Sequence, residues 1–583
     1  MPLDKRLRDS IKSATLHNAL EHDGKARADA VIGKIAAANE EFRANLKSIV
    51  PAIKEAVVEI NSLSPDVQKL LLDQLEESVD TSQRAGLTER SQVASSILLP
   101  MLDNATRGKV ITRFPPEPSG YPHIGHAKAA IIDEFYARIY DGKFILRFDD
   151  TNPLNEKLEY YEAFIQALEW LNIHPDIIKN TSDDIELLYN YGRKLVLNGD
   201  AYVCFCNQDK IHSLRSKGVE CECRKRSTSN TSYIDNFFDG RFNQNEAIIR
   251  FKGSMTDQNT VMRDPTLFRV IRGYHPKLGD KYQTWPTYDF AAPIEDSLDG
   301  VSHAFRTKEY ELRNTLYFAI LERLGLRKPN MIEFSRLEFH GVPVSKRKIK
   351  PLIENNIIKS WDDPRLPTLA AMKRRGFVPE AIRKFVLSLG MTLAETKPPF
   401  ESLEAFNRKL IEPESIRLFF VKEPVEILIQ NSTGREIGLK NHPNIDLGTR
   451  RVKVGESIYI SKDDAIRLRV GNEIRLIELY NIRVVEIKSD GTKLNIVASW
   501  SGDNVRPDIP KIQWVAKNDD RPFEILVPKE LYHGDTYNVN SLEVWKGLGE
   551  SFATHLKPDS KVQFVRMGFC RIEGSDSAVF THK

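Results

Sequence analysis

The part of the sequence that most restricts the fold is a short apolar segment followed by a loop rich in proline and glycine and then by an amphipathic helix. The segment GKVITRF leads into the loop PPEPSGYPHIGHAK, residues 115–128. After the loop, Ile131, Phe135 and Ile139 recur at helical spacing. The strand-like segment GKFILRF and a second helical pattern follow, and such strand–helix repeats predict a parallel sheet with crossover helices.

The chain is long enough for several domains, because its 583 residues exceed what one ordinary core holds. A beginning rich in Ala, Glu and Lys predicts helices, and many short apolar segments near the end predict one or two β-barrels. We therefore expect a multidomain chain of α/β plus β class. The predicted order is a helical region at 1–105, the first half of an α/β domain at 106–203, an insertion at 204–284, the second half at 285–350, a helical connector at 351–415 and β-barrels at 416–583.

The composition describes a water-soluble globular chain, with 41% hydrophobic and 28% charged residues. No apolar run approaches the length of a membrane span, and the charged N-terminus is not followed by the apolar core of a secretion signal. We therefore expect a cytoplasmic protein with no membrane partner. The net charge of +3 neither requires nor excludes a nucleic-acid partner, and the basic run at 346–350 is typical of a solvated face when judged by charge alone.

The loop before the first α/β helix is the strongest candidate for a binding site. A loop in this position lies at the carboxyl ends of the strands, and the free N–H groups of the next helix suit a phosphate. Gly125 allows close approach of a ligand, and His123 and His126 can direct donors at charge that develops on phosphate. Two histidines without nearby thiolates or carboxylates make a weak metal site, and loop histidines without a role are common. The loop alone therefore leaves the function open.

Four of the five cysteines fall within one short segment, which in a long cytosolic chain indicates a metal site before it indicates disulfides. Cys204 and Cys206 are separated by fourteen residues from Cys221 and Cys223. Four thiolates suit a structural zinc ion, although the C-x-C spacing is tighter than the usual C-x-x-C. The alternative is a set of thiols without a ligand.

Several longer motifs resemble one protein family. HIGH resembles the signature of class I aminoacyl-tRNA synthetases, and RFPPEPSGYPHIGHAK resembles the glutamyl and glutaminyl branch of that class. RFDDTNP at 147–153, YDFAAPIEDSLDGVSHAFRTKEY at 288–310 and WDDPRLPTLAAMKRRG at 361–376 resemble the same branch, and PVSKRKI at 343–349 corresponds to its KMSKS loop. The similarity covers about residues 105–583, and the β-rich C-terminal part resembles the archaeal and eukaryotic glutamyl type. It implies a Rossmann-type catalytic domain with an acceptor-binding insertion, and C-terminal barrels that read the anticodon.

The resemblance implies a two-step reaction. The carboxylate of an amino acid attacks the α-phosphorus of ATP, and the acyl group then moves to the terminal adenosine of tRNA. Catalysis would rest on positioning and on charge stabilisation by His123, His126 and Lys346, with Mg²⁺ arriving on the ATP. Pro343 and Val344 replace the first two residues of KMSKS, which places more of the charge stabilisation on Lys346. The implied ATP contacts are His123, Gly125, His126, Glu309, Leu337, Ser345 and Lys346.

The resemblance also implies a pocket for L-glutamate, in which Asp149 accepts the α-ammonium group and two arginines face carboxylate, because buried charges need partners. The implied glutamate contacts are Arg113, Glu117, Asp149, Tyr288 and Arg306. Glutaminyl members carry an uncharged residue in place of Arg306, whereas a guanidinium matches a carboxylate with two hydrogen bonds. The alternative is that Arg306 pairs with a neighbour such as Glu309.

The implied macromolecular partner is tRNA(Glu), bound by a chain that we expect to be a monomer. The basic residues 224–226 suit the tRNA acceptor end, and zinc in the insertion would be structural. Trp514, Phe564 and Arg566 are candidates for anticodon contacts, with barrel core and barrel surface as the alternative roles.

Four other functions stay open at the level of sequence: a glutamine–tRNA ligase, an enzyme that also charges tRNA(Gln), a catalytically silent tRNA-binding scaffold, and a tRNA-modifying glutamyl transferase. Arg306 disfavours the first of these, and the intact HIGH histidines disfavour the scaffold. The long C-terminal β region disfavours the modifying enzyme, since that class lacks anticodon modules.

Overall fold

The computed structural model describes residues 5–38, 46–61, 63, 65, 68–69, 71–72, 99–226, 232–342, 346–395, 397–432, 434–489, 494–534 and 536–583. The N-terminal region is helical, as expected, with α1 (Lys5–Leu20), α2 (Ala28–Ala38) and α3 (Leu46–Asn61). These helices pack around a core of their own that includes Leu16 and Ile53. None of the helices in the described ranges has the length and apolar character that a membrane crossing requires.

The central α/β domain is built on parallel strands. Its elements in chain order are β1 (Ile111–Phe114), α4 (Ile124–Ile139), β2 (Lys143–Phe148), α5 (Leu158–Trp170), β3 (Ile177–Asn180) and α6 (Ile185–Leu197), and after an insertion α9 (Tyr288–Leu298), β8 (His303–Thr307), α10 (Asn314–Leu324) and β9 (Asn330–Phe334). Strands β1, β2 and β3 pair in parallel, as do β8 and β9. The backbone N–H of Ser302 donates to the carbonyl of Ile111 at 2.9 Å, so the two ladders lie side by side. The predicted parallel sheet is confirmed.

One predicted helix starts later than its sequence pattern suggests. The spacing of apolar residues predicts a helix from about Lys308, whereas residues 308–313 form a 3₁₀ helix and the α-helix begins at Asn314. Leu312 is 64% exposed and lies outside the core. The buried face of α10 therefore starts at Leu316, one turn after the predicted position.

The insertion is a separate antiparallel sheet. It contains β4 (Ala201–Cys204), α7 (Gln208–Lys217), α8 (Ser232–Phe238), β5 (Ile248–Phe251), β6 (Thr266–Val270) and β7 (Thr284–Pro286). The strands pair in chain order, each antiparallel to the next. The connector that follows the α/β domain is helical, with α11 (Lys346–Glu354), α12 (Leu369–Arg375), α13 (Pro379–Ser388) and α14 (Phe400–Ile411).

The C-terminal region forms two seven-stranded sheets and two separate two-stranded ladders. The strands are β10 (Ile416–Leu418), β11 (Phe420–Lys422), β12 (Pro424–Gln430), β13 (Arg435–Lys440), β14 (Thr449–Val454), β15 (Ser457–Ser461), β16 (Glu473–Leu476), β17 (Asn481–Ser489), β18 (Leu494–Gly502), β19 (Lys511–Ile512), β20 (Val515–Ala516), β21 (Asp520–Pro528), β22 (Tyr532–His533), β23 (Thr536–Tyr537), β24 (Leu542–Glu550), β25 (Lys561–Phe564), β26 (Gly568–Gly574) and β27 (Ser577–His582), with one short helix, α15 (Lys462–Ala465). One sheet has β10 and β11 as its edges, and the other has β19 and β20. Because each pair of edge strands is nearly consecutive in the chain, each sheet curls round until its edges meet, as in a barrel.

The barrels confirm the predicted strands and add others that the sequence pattern did not single out, including the β13–β14 hairpin and β24. The sequence also predicts a hairpin turn at Asp490-Gly491. This turn lies outside the described residues, but the flanking strands β17 and β18 pair antiparallel, with Ser489 opposite Leu494. For two of the three candidate residues the predicted anticodon contact is wrong, and the alternative role in the barrel core applies. Trp514 is 1% exposed and Phe564 is 0% exposed, so both rings belong to the barrel cores and cannot stack on a base.

Candidate active site

The predicted phosphate loop leads directly into helix α4. His123 caps this helix, since its Nδ1 accepts a hydrogen bond from the backbone N–H of Gly125 at 3.1 Å. His126 reaches back, and its Nδ1 accepts from the backbone N–H of His123 at 3.2 Å. The two rings stack with their centroids 3.8 Å apart. The H-x-x-H spacing therefore forms a capping box made of two imidazoles.

These hydrogen bonds fix the chemical form of both histidines. A ring nitrogen that accepts from N–H carries no proton, so in the neutral ring Nε2 holds the proton and remains free to donate it. Burial lowers the pKa of His123 to about 4. Burial, and then the charge on His123, lower the pKa of His126 well below its usual value. At neutral pH the loop thus offers two uncharged N–H donors, which suit the oxygens of a phosphate.

The loop is held against the helical connector. Backbone hydrogen bonds join residues 122–124 to residues 367–369 at 2.9 and 3.1 Å. A cleft of about 230 Å³ opens beside the loop, and its lining includes both histidines, Glu117, Ile349 and Trp361. Gly125 has no room for a side chain, because a Cβ there would lie 2.9 Å from Cε1 of His123. The glycine therefore keeps the capping imidazole in place.

Asp149 follows β2 and presents a carboxylate oxygen without a partner. Its backbone N–H donates to the carbonyl of Pro116 at 3.0 Å, which holds it beside the loop. Its Oδ1 accepts from Oγ1 of Thr181 at 3.1 Å and lies 3.4 Å from Nε of Arg147. Its Oδ2 is buried without a hydrogen-bond partner among the described residues. Burial raises the pKa of Asp149, and a nearby ammonium group would satisfy the unpaired oxygen.

Arg113 is fully buried and already paired. Its Nε and Nη2 donate to Asp296 at 2.9 and 3.1 Å, and its Nη1 donates to the carbonyl of Phe305 at 2.7 Å. Asp296 also accepts from Arg147 at 2.8 Å. Burial alone would raise the pKa of Asp296, but Arg113 and Arg147 lower it to about 2. The carboxylate contact expected of Arg113 stays a prediction.

Arg306 lies at the end of β8 inside a cage of tyrosines. The guanidinium carbon is 4.7 Å from the ring centroid of Tyr310, 5.3 Å from that of Tyr288 and 5.5 Å from that of Tyr317. Arg306 is 5% exposed, and its Nη1 donates to Oδ1 of Asn314 at 3.1 Å. Its Nε has no partner among the described residues. Aromatic faces stabilise a cation but do not neutralise it, so the guanidinium charge is available to a ligand.

The alternative pairing of Arg306 with Glu309 does not occur. Glu309 is exposed on the 3₁₀ helix after β8 and pairs with Arg336. Within the described part of the chain, no carboxylate lies at ion-pair distance from Arg306. The sequence identified Arg306 and Tyr288 through the family motif at 288–310, whereas Tyr310, Tyr317 and Asn314 carried no signal of their own.

The remaining predicted contacts lie on several elements of the chain. Tyr288 is the first residue of α9, and burial raises the pKa of its hydroxyl. The carbonyl of Leu337 lies 3.9 Å from the position of a Cβ on Gly125, so this buried residue borders the loop. Ser345 lies outside the described residues. Lys346 begins α11, but its side chain is also outside them.

The four predicted cysteine ligands converge. The sulfur atoms of Cys204, Cys206, Cys221 and Cys223 all lie within 4.8 Å of one another. Those of Cys204 and Cys221 are 3.9 Å apart, which fits the separation of about 3.8 Å that a tetrahedral zinc site with 2.3 Å bonds would have. The hydrogen bond with Cys204 lowers the pKa of Cys221, which favours its thiolate form. The donor set and its geometry fit a zinc ion.

Donors around the sulfur atoms complete this arrangement. The backbone N–H of Phe205 donates to Sγ of Cys223 at 3.5 Å, and Nη1 of the buried Arg250 lies 3.9 Å from Sγ of Cys221. Such donors stabilise thiolates around a metal. The sequence predicts that the basic residues 224–226 suit the tRNA acceptor end, but Arg224 donates to both carboxylate oxygens of Asp264, at 2.7 and 2.9 Å. That guanidinium therefore holds the insertion together.

The candidate anticodon residue Arg566 is also paired. Its guanidinium donates to both carboxylate oxygens of Asp464 at 2.8 and 3.0 Å. Its contribution to RNA binding stays a prediction, and it would require this surface pair to open.

Three segments of the chain match models of known protein families. Residues 109–413 match the model for tRNA synthetases class I (E and Q), catalytic domain. Residues 415–500 and 511–573 match two models for the anti-codon binding domain of the same group.

Curated relatives match along essentially the whole chain. A protein of Nitrosopumilus maritimus, named glutamate–tRNA ligase, is 45% identical and the match covers 100% of both chains. Proteins of the same name from Cenarchaeum symbiosum and Pyrococcus abyssi are 44% identical over 98% of each chain and 38% identical over 99% of each chain. The chain therefore belongs to the class I tRNA synthetases of the glutamyl and glutaminyl group.

Proposed function

We propose that the protein is a glutamate–tRNA ligase, which activates L-glutamate with ATP and transfers it to the 3′ end of tRNA(Glu). The observation that carries the proposal is the buried Arg306, which has a cage of tyrosines and no carboxylate partner in the described chain. A substrate with a carboxylate would neutralise this charge, whereas a side-chain amide would present its own N–H donors to the guanidinium. The names of the archaeal relatives agree with this choice of amino acid.

The amino acid would be held at two points. The unpaired Oδ2 of Asp149 would accept from the α-ammonium group, and Arg306 would pair with carboxylate. Asp296 keeps Arg113 in one orientation, and Arg113 would make a second carboxylate contact. Two fixed charges of opposite sign would thus orient the substrate, which lowers the entropic part of the barrier to reaction.

The HIGH histidines would act on ATP. Each presents a neutral Nε2–H group, so each can donate to a phosphate oxygen without first losing or gaining a proton. As negative charge builds on the α-phosphate during attack by the glutamate carboxylate, these donors would stabilise it. Lys346, at the start of α11, would supply a positive charge to the same phosphates, and Ser345, Glu309 and Leu337 would complete the ATP contacts.

Two metal ions belong to the proposal. Mg²⁺ would enter with ATP and offset the charge of its phosphates. Zinc would be held by Cys204, Cys206, Cys221 and Cys223, where it contributes folding energy to the insertion. Cys204 ends β4, Cys206 follows it by two residues, and Cys221 and Cys223 lie in the segment after α7, so their joint ligation would fix that segment to the insertion sheet.

The proposed function is tested by aminoacylation of purified tRNA(Glu) and tRNA(Gln) with labelled glutamate and, separately, labelled glutamine. We expect glutamate on tRNA(Glu) and no glutamine on either tRNA. Glutamine as the preferred substrate would replace the proposal by a glutamine–tRNA ligase. Glutamate on both tRNAs would extend the specificity to tRNA(Gln).

A folded protein that binds tRNA but supports no pyrophosphate–ATP exchange with glutamate and tRNA present would be a scaffold, which contradicts the proposal. We further expect a monomer of 66.6 kDa in light scattering, and a cytoplasmic protein. A monomer suffices in principle, because one chain carries the catalytic domain and the two barrel sheets.

A further inference from the structure

The charge environment of Arg306 includes a carboxylate that ought to neutralise it. Strands β8 and β9 pair in parallel with Arg306 directly opposite Glu333. Opposite charges on directly paired positions of a sheet ordinarily attract each other. Arg306 nevertheless contacts Asn314, and Glu333 contacts the same asparagine from the other side.

Asn314, the first residue of α10, occupies the space between the two charges. Its Oδ1 accepts from Nη1 of Arg306 at 3.1 Å, and its Nδ2 donates to Oε1 of Glu333 at 2.5 Å. A guanidinium can only donate and a carboxylate can only accept, so the amide has one orientation that satisfies both neighbours. The asparagine is locked, and its carbonyl always faces the arginine.

We propose that Asn314, locked by Glu333, is a specificity-determining positioning residue that holds Arg306 apart from Glu333 and so keeps the guanidinium charge for the carboxylate of the substrate. The inference rests on the proposed function, since it assigns the carboxylate to glutamate. A neutral amide directs the guanidinium without consuming its charge, whereas a direct ion pair with Glu333 would consume it.

The proposal predicts the direction in which substitutions of Asn314 and Glu333 change the KM for glutamate, so single and combined substitutions test it. In Asn314→Ala the spacer is lost and Arg306 can turn to Glu333, so we expect the KM for glutamate to rise at least about tenfold, because the substrate must then displace Glu333 from the guanidinium. In Asn314→Asp an internal carboxylate neutralises Arg306, so we expect a similar or larger rise and a weaker preference for glutamate over glutamine. The KM for ATP should change little in both variants.

The decisive variant removes the competing charge. Glu333→Gln removes the negative charge and keeps a carbonyl acceptor for Asn314. In Asn314→Ala combined with Glu333→Gln, Arg306 has no carboxylate to turn to, so we expect the KM to return most of the way to that of the wild type. A double variant with a KM as high as that of Asn314→Ala, or higher, would overturn the proposal, because two merely structural lesions do not correct each other.

Steady-state charging of tRNA(Glu) by the full-length chain supplies KM and kcat for each variant, and thermal unfolding checks that each is folded. Asn190→Ala, an exposed position on α6, is the matched control and should match the wild type. A wild type that fails to charge tRNA(Glu) with glutamate refutes the proposed function itself. A wild type that charges it while Asn314→Ala keeps the wild-type KM refutes only the role of Asn314.

Discussion

Replacement of Gly125 by alanine separates activity from folding in the phosphate loop. The new methyl group would lie 2.9 Å from Cε1 and 3.0 Å from Nδ1 of His123, so the ring must retreat by about 0.5 Å to reach an ordinary contact. The ring is also bound by its hydrogen bond from Gly125 and by its stack on His126. Since displacements of this order at a reacting group cost one to two orders of magnitude in rate, we expect kcat for adenylate formation to fall about 10- to 100-fold.

Stability should change far less than activity in the same variant. Loss of the imidazole cap costs about 1 kcal/mol, while alanine gains about 1 kcal/mol over glycine in a helical position. The two effects nearly cancel, so the midpoint of thermal unfolding should stay within a few degrees of that of the wild type. Pyrophosphate–ATP exchange with glutamate and tRNA present measures the rate.

The matched control is Gly33→Ala, in an exposed position of α2 where a Cβ meets no atom within 4 Å. This control should leave exchange unchanged and raise stability slightly. Full exchange activity in Gly125→Ala would refute the reasoning that the glycine serves to position His123.

Three further predictions concern protonation, the metal and the buried charges. The pKa values of His123 and His126 are lower in the folded chain, so the unfolded chain binds more protons between about pH 4 and 6.5. The contribution of the two neutral histidines to stability is therefore complete above pH 6.5 and is lost as the pH falls towards 4. Urea titrations at several pH values would show this loss. If the rate of pyrophosphate–ATP exchange titrates near pH 6.5 in the wild type and this titration disappears in His123→Asn, the neutral state of His123 is contradicted. Elemental analysis should find one zinc per chain, and Cys223→Ser should lower both the zinc content and the unfolding temperature. If a chelator removes the zinc and the unfolding temperature does not change, the metal is not structural. Asp296→Asn takes the carboxylate partner from the buried Arg113 and one carboxylate partner from Arg147, which keeps Asp299. It should therefore destabilise the catalytic domain by about 3–5 kcal/mol in urea unfolding, whereas the exposed Asp239→Asn should not. Equal midpoints for the two variants would contradict the role of Asp296.

The sequence predicts the parallel sheet and the position of the phosphate loop well, because both depend on local patterns. Alternation of strand and helix requires crossover connections, and a loop at the first crossover must lie at the carboxyl edge of the sheet. The convergence of four cysteines is also predictable, since few arrangements other than a metal site place four thiols so close in a sequence.

Contacts across the sheet are not predictable in this way. Nothing in the local pattern around Asp296 shows that it pairs with arginines from β1 and β2, because those partners are more than a hundred residues away. The tyrosine cage of Arg306 is closer in sequence but also depends on the fold, since Tyr288 lies on α9, Tyr310 on the 3₁₀ helix at 308–313 and Tyr317 on α10.

The barrels show the limit of composition as a guide to function. Trp514 has the residue type that binds bases, but it lies between the edge strands β19 and β20, where closure of the sheet turns it inward and its Nε1 donates to the carbonyl of Ile477 at 2.9 Å. Which side of a strand faces the core depends on register, and a short strand of two residues carries too little alternation to reveal it.

The choice of amino acid is the central claim, and it is tested most directly by the ratio of kcat/KM for glutamate and glutamine in charging tRNA(Glu), measured for the wild type and for Arg306→Met. A site built around an unpaired guanidinium should favour glutamate by about 10⁴-fold, and the methionine variant should lose at least about 100-fold of that preference. A wild type that charges both amino acids with similar efficiency, or an Arg306→Met variant with an unchanged ratio, would contradict the assignment of Arg306 to the substrate carboxylate.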